Sequence, residues 1–264
     1  LQEVDVNAKR VTYVDQVQWL LDQTDYNYGG YASQLKSDYV PSDGTGRTNS
    51  GNVILSKWPI EDARRIALPL IEKQGGLTRY FWLRRNILEA RVAIPGRRDV
   101  RVMGIHTSAF AEDDTTRKQL ARLAERMTMY EERGELVVAG GDFNTVPPGT
   151  EKLRDFGAEP AEEVECDFSG DDYSTHDGWT DPLYEQFTPA VPLEDYRADN
   201  APYFTYTGDA DGFWNRKLDY LFTSGEFVEG RTVTYQSQQQ GGVETMPLSD
   251  HAPLAVELVV GEEE

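Results

Sequence analysis

The sequence has 264 residues, 39% of them hydrophobic, with 26 basic and 46 acidic side chains and a net charge of −20. That is enough apolar material for a full core, and the acidic balance argues against a nonspecific nucleic-acid binder working through a broad basic face. No run approaches the roughly 20 apolar residues that span a bilayer, and the single cysteine, Cys166, excludes an internal disulfide and a thiolate zinc cluster.

Residues 8–23 carry Val11, Val14, Val17, Leu20 and Leu21 at helical spacing, which predicts a helix soon after Glu3. Residues 26–34 are aromatic and read as a strand, whereas 36–50, rich in Gly, Ser, Thr and Asp, read as a surface loop. Strands are expected at 52–56 and 79–94, the second long enough to hold a bend, and Pro95-Gly96 turns the chain into another at 99–106. Asp113 or Asp114 can cap a helix running to about Arg133, with Leu120, Leu123, Met127 and Tyr130 as its buried stripe and Gly134 as its stop. The apolar strand 135–139 follows. Strand, helix and strand in that order form a crossover unit and imply a layered α/β fold. Residues 157–203 are acidic, rich in Pro and Asp, and predict an elaborated loop region, after which 217–223, 227–236 and 254–260 read as closing strands.

Polar clusters sit on these apolar runs: Gln2-Glu3, Gly104–Thr107, Gly141–Asn144, Lys217–Tyr220 and Ser249–His251. A buried strand that ends in carboxylate, amide and imidazole groups delivers them to one rim of a sheet. Because the clusters span the sequence and gain meaning only together, a single domain over 1–264 is expected. Two of the three histidines, His106 and His251, lie in them. If Asp219 reaches His251 from a neighbouring strand, its carboxylate would fix the imidazole tautomer and stabilise the cationic form. Glu3, Asp142, Asn144 and Asp250 offer oxygen without sulfur, the ligand set of a hard cation such as Mg²⁺ or Mn²⁺. Gly140-Gly141 lets the backbone approach a ligand just before Asp142.

In order along the sequence, LQEVD (1–5), GNVILSKWPI (51–60), GIHTS (104–108), GDFN (141–144), KLDYLF (217–222) and SDHAP (249–253) resemble the motifs of the endonuclease/exonuclease/phosphatase superfamily. That superfamily is similar in fold to pancreatic deoxyribonuclease and the apurinic endonucleases. The resemblance implies a four-layer α/β sandwich, two packed mixed sheets flanked by helices. It also implies Glu3 as a metal ligand with Asp250 nearby, Asp142 and Asn144 positioning the water and the phosphate, and His106 donating to a phosphate oxygen. His251 oriented by Asp219 would complete the acid/base machinery, with either Asp142 or His251 taking the water's proton. The family's first strand, bearing an asparagine that helps hold phosphate or metal, lies upstream of the glutamate motif. This sequence starts at that motif, and Asn7 lies on the wrong side of it to substitute, so that strand is expected to be missing here.

The expected activity is hydrolysis of a phosphodiester, with nucleic acid, a phospholipid headgroup and a phosphorylated metabolite as candidate substrates. The alternative is a noncatalytic binding or scaffold protein that retains the fold. The protein is expected to be soluble, cytoplasmic or secreted according to what precedes Leu1, with no obligate protein partner evident. His176 is expected to be a loop residue, Arg47 and Lys57 ordinary surface charge, and Arg79–Arg85 an alternately buried strand.

Overall fold

In the computed structural model the described residues are 1–41, 45–72, 74–109, 111, 113–150, 176, 178–207 and 213–262. They form two compact units, one of residues 1–141 and 260–264, the other of residues 142–259.

The first unit is layered. Strands β1 (Val4–Asp5), β3 (Gly46–Ser56) and β2 (Tyr28–Val40) form an antiparallel sheet in the order β1-β3-β2. Strands β4 (Ile60–Ala67), β5 (Asn86–Val92), β6 (Val100–His106) and β7 (Leu136–Asp142) lie side by side in chain order in a second sheet. The two sheets meet through Ala32 and Ile54 on one side and Leu88 and Ala90 on the other, all buried. Helix α1 (Gln16–Gln23) covers the outside of the first sheet, with Val17 and Leu21 lying over Gly29 of β2. Helix α3 (Thr115–Glu131), the third in the chain, covers the second sheet with Leu120, Leu123 and Met127, each at most 1% exposed. Helix, sheet, sheet and helix are the four layers expected.

An ion pair fastens α3. Arg126 of the helix donates to both carboxylate oxygens of the fully buried Glu89 on β5, at 2.7 and 2.8 Å from Nη2 and 3.1 Å from Nε, and the Tyr130 hydroxyl adds a fourth bond at 2.8 Å. Gly134 ends the segment with φ of +76°, as its position in the sequence suggested.

The local elements differ from the sequence reading in four places. The helix expected over 8–23 is a 3₁₀ turn, Lys9–Val11, followed by α1, because Thr12 and Tyr13 adopt positive φ and Asp15 caps a new start by accepting from the Gln18 amide at 3.1 Å. The expected loop 36–50 is mostly strand: Lys36 pairs with Asn49 and Ser37 with Thr48, cross-strand bonds that a polar composition does not forbid. Residues 79–94 are not one strand, since helix α2 (Gly76–Phe81) precedes β5, and β4 is a strand that the sequence reading left out.

The fourth place is in the second unit. Of the expected loop region 157–203, residues 157–175 and 177 lie outside the described residues, while Asp181–Gln186 and Leu193–Ala198 are helical rather than looped. Proline within the first turn of one and just before the other suits these starts. Strand β8 (Thr188–Pro189) pairs with β9 (Asp219–Thr223), and the closing strands shorten to β10 (Val233–Thr234) and β11 (Leu254–Ala255), which pair with each other. The core of this unit is an aromatic stack in which Phe143 lies 4.8 Å from Tyr220 and 6.1 Å from Phe222. Among the described residues no helix is long and apolar enough to cross a membrane.

Gly141, the last residue of the first unit, has φ of +141°, and a Cβ added there would lie 2.0 Å from the Ile105 carbonyl oxygen and 2.6 Å from the Gln2 side chain. Only glycine fits such an approach. Gly141→Ala is expected to cost about 1–3 kcal/mol, and an unchanged midpoint in urea unfolding would contradict this.

Candidate active site

In the second unit, three motifs converge. Phe143 is fully buried and its amide donates to the Leu218 carbonyl at 2.9 Å. That anchor leaves its neighbours Asp142 and Asn144 on a common side. Asn144 takes φ of +45°, a conformation asparagine tolerates better than most residues. Its amide then donates to Asp142 Oδ1 at 2.8 Å and its side chain to Oδ2 at 3.1 Å.

Asp219 stands at the start of β9, where Thr205 Oγ1 accepts from the Leu218 and Asp219 amides at 3.0 and 2.9 Å. The same threonine's carbonyl accepts from the Ala252 amide at 2.7 Å, and the Thr207 amide donates to the Asp250 carbonyl at 3.0 Å. Thr205–Thr207 thus stitches the KLDY segment to the SDHAP segment. Sequence reading passed over these residues, although the alternation of Phe204, Thr205, Tyr206 and Thr207 is a strand-like signal.

The result is a 2.7 Å hydrogen bond between Asp219 Oδ2 and His251 Nδ1, while His251 Nε2 faces Asp142 Oδ2 at 3.9 Å. Tyr206 packs against the imidazole with ring centroids 5.1 Å apart. Burial by itself would lower the pKa of His251, but the Asp219 hydrogen bond and the charges of Asp219, Asp142 and Asp250 outweigh it and lift the value to about 9. Asp250 keeps an exposed side chain.

Lys217 is a second residue that sequence reading did not single out. Its side chain is fully enclosed, with Nζ donating to the Asp219 carbonyl at 2.6 Å and lying 4.5 Å from the centre of the Tyr220 ring. Burial pushes its pKa down to about 7 despite the pull of Asp219. The unfolded chain holds this proton up to about pH 10.5 and the folded one only to about 7, so between these values folding stability rises with pH. The contribution approaches about 1.4 kcal/mol per pH unit. Lys217→Met removes it, so the stability of the mutant relative to wild type is expected to worsen steadily as pH rises from 7 to 9. A difference that stays constant across that range would show that Lys217 does not titrate this way.

The remaining expected site residues, Glu3 and His106, lie in the first unit. Glu3 precedes β1, is exposed, and has φ of +54°. His106 ends β6 and is 4% exposed, with its carbonyl accepting from Gln34 Nε2 at 3.4 Å. Gln2, beside Glu3, reaches Ile105, beside His106, and both crowd Gly141, beside Asp142. His176 stacks on Trp179 at 3.8 Å and contacts Thr145 Oγ1 at 3.2 Å, and Lys57 forms an exposed 3.8 Å ion pair with Asp25.

A sequence model for the endonuclease/exonuclease/phosphatase family matches residues 1–251. The chain belongs to that family. Members of the endonuclease/exonuclease/phosphatase family are hydrolases of phosphoester bonds. Solved structures share the fold. An endonuclease/exonuclease/phosphatase protein from Beutenbergia cavernae is 17% identical, with a TM-score of 0.61 over 95% of this chain and 58% of its own. A family protein from Leptotrichia buccalis is 14% identical, with a TM-score of 0.54 over 92% of this chain and 75% of its own. The human Nocturnin catalytic domain, solved with a sulfate anion, is 15% identical, with a TM-score of 0.52 over 94% of this chain and 79% of its own. The present chain therefore spans little more than half of the Beutenbergia protein. No curated protein matches it in sequence.

Proposed function

We propose that this family member is a divalent-metal-dependent phosphoesterase that hydrolyses a phosphodiester. The observation that carries the reading is the line Asp219–His251–Asp142, at 2.7 and 3.9 Å. Asp219 fixes the ring with Nδ1 engaged, which leaves Nε2 as the nitrogen available for proton exchange. Asp142, held at both oxygens by Asn144, faces that nitrogen. A water oriented by the carboxylate attacks phosphorus and gives its proton to this pair, and the pair returns a proton to the departing alcohol oxygen as its bond to phosphorus breaks. His106 supplies a donor for a phosphate oxygen.

Glu3 and Asp250 are the residues proposed to hold Mg²⁺ or Mn²⁺. Among the described residues no three His, Cys, Asp or Glu side chains form a group able to enclose a metal. Both proposed carboxylates are exposed, and magnesium is usually held by one or two carboxylates while keeping several waters. The donor set therefore fits a hard, water-rich cation rather than an enclosed zinc. Such a cation, when bound, neutralises charge growing on the phosphoryl and leaving-group oxygens.

The test is hydrolysis of bis-p-nitrophenyl phosphate with Mg²⁺ or Mn²⁺ and after removal of the metal with EDTA. Turnover that requires the metal and disappears in Asp142→Asn supports the proposal. Ligand binding without turnover at any metal concentration would establish a binding protein instead.

A further inference from the structure

The first unit holds two neighbouring arginines, only one of which the fold by itself explains. Arg65 of the edge strand β4 donates from Nε to the Ser33 carbonyl at 3.0 Å and from Nη2 to the Arg84 carbonyl at 2.9 Å. Arg84, just before β5, is pinned by its amide, which donates to the Gln34 carbonyl at 2.6 Å. Both residues are exposed, and partial desolvation of the Arg65 guanidinium, followed by the positive charge of Arg84, lowers the pKa of Arg65. The protein carries 46 acidic residues. Even so, among the described residues no carboxylate pairs with either arginine, and the Arg84 guanidinium makes no hydrogen bond at all.

Two like charges held side by side repel, and an acidic protein has ample means to neutralise them. The two carbonyls account for Arg65 as a clasp between β2 and the approach to β5. They do not account for Arg84, whose cation faces solvent beside another cation. Gln34, whose carbonyl takes the Arg84 amide, holds the neighbouring segment with its side chain, which accepts from Arg85 Nη1 at 2.8 Å and donates to the His106 carbonyl at 3.4 Å. Next to the Ile87–Ile105 register pair, Asn86 and His106 close β5 and β6 at the same end of the sheet. An arginine fork pre-positioned by backbone bonds matches the oxygens of a phosphate group.

We propose that Arg65 and Arg84 form an anion site on the first unit that takes a phosphate group of a phosphorylated ligand. The site stands on the placement of the two arginines and not on the phosphoesterase reading.

The experiment is calorimetric titration of the metal-free chain with inorganic pyrophosphate and, separately, with short oligothymidylate. Wild type is expected to bind at least one of them, and tighter binding of oligothymidylate marks a polymeric phosphate ligand while the reverse marks a small one. Arg84→Glu places a carboxylate where it can pair with Arg65, so it is expected to keep or raise the melting temperature while weakening anion binding about ten-fold or more. Arg84→Lys, which keeps the charge, is expected to retain most of the binding. Binding by Arg84→Glu equal to that of wild type, or no binding of either probe by wild type, would overturn the site. His251→Ala separates the two readings: retained anion binding with lost turnover agrees with both, whereas full turnover in that variant sinks the catalytic assignment and leaves the arginine site to stand on its titration.

Discussion

His251→Ala is expected to lower the rate of metal-dependent hydrolysis of bis-p-nitrophenyl phosphate by about 10²–10⁴-fold, the usual contribution of a positioned acid/base. The imidazole is held by Asp219 at 2.7 Å and faces Asp142 at 3.9 Å, so its loss removes the only ring in that line and leaves two carboxylates without the group between them. Asp219→Asn keeps the shape but replaces an acceptor oxygen with an amide that can donate to the same nitrogen, so the ring loses both its tautomer control and its stabilised cation. Its effect should fall in the same range, and the double variant should be little worse than either single one, because residues that act as a unit are not additive. The side chain of His251 is partly exposed, which predicts a small change in melting temperature beside the large change in rate. Wild-type turnover in His251→Ala, with the fold intact, would refute the assignment.

The largest effect on stability is expected at α3. Arg126→Met leaves the Glu89 carboxylate fully buried with the Tyr130 hydroxyl but without its cation, and removing one partner of such a pair costs about 3–5 kcal/mol. The compensating variant is Glu89→Leu together with Arg126→Met, which restores an apolar contact and should recover most of the loss. That rescue distinguishes a stranded charge from lost packing of the arginine stem. Urea unfolding of the two single variants and the double variant checks it. A single Arg126→Met variant as stable as wild type would mean that Glu89 finds another partner or a proton at little cost.

Much of this molecule is legible residue by residue, and the parts that are not share a cause. The stripe Leu120, Leu123, Met127 and Tyr130 was readable because it repeats with the helical period and is buried as that period requires. The polar clusters at strand ends were readable because apolar runs give way there to carboxylate, amide and imidazole side chains, although His106, Asp142 and Lys217 are themselves buried. The stretch 36–50 was misread because Lys36, Ser37, Thr48 and Asn49 have loop-like composition and become strand only by pairing across a hairpin. Ion pairing had no signal at all: Glu89 and Arg126 are 37 residues apart, and nothing local marks Glu89 as an inward-facing carboxylate.

At the candidate site the same division holds. Amino-acid order alone determined the family and the chemical types available at each motif, oxygen-bearing side chains among them. Only the tertiary structure decided the 2.7 Å contact by which Asp219 holds His251, the sealing of Lys217 beneath Asp219, and the bond that brings the Arg65 guanidinium to the Arg84 carbonyl. Those outcomes depend on strand register and on buried backbone anchors such as Thr205, which bring together side chains tens of residues apart. Chain proximity carries no information about such meetings, because a one-residue slip in register would turn each of these side chains to the opposite face.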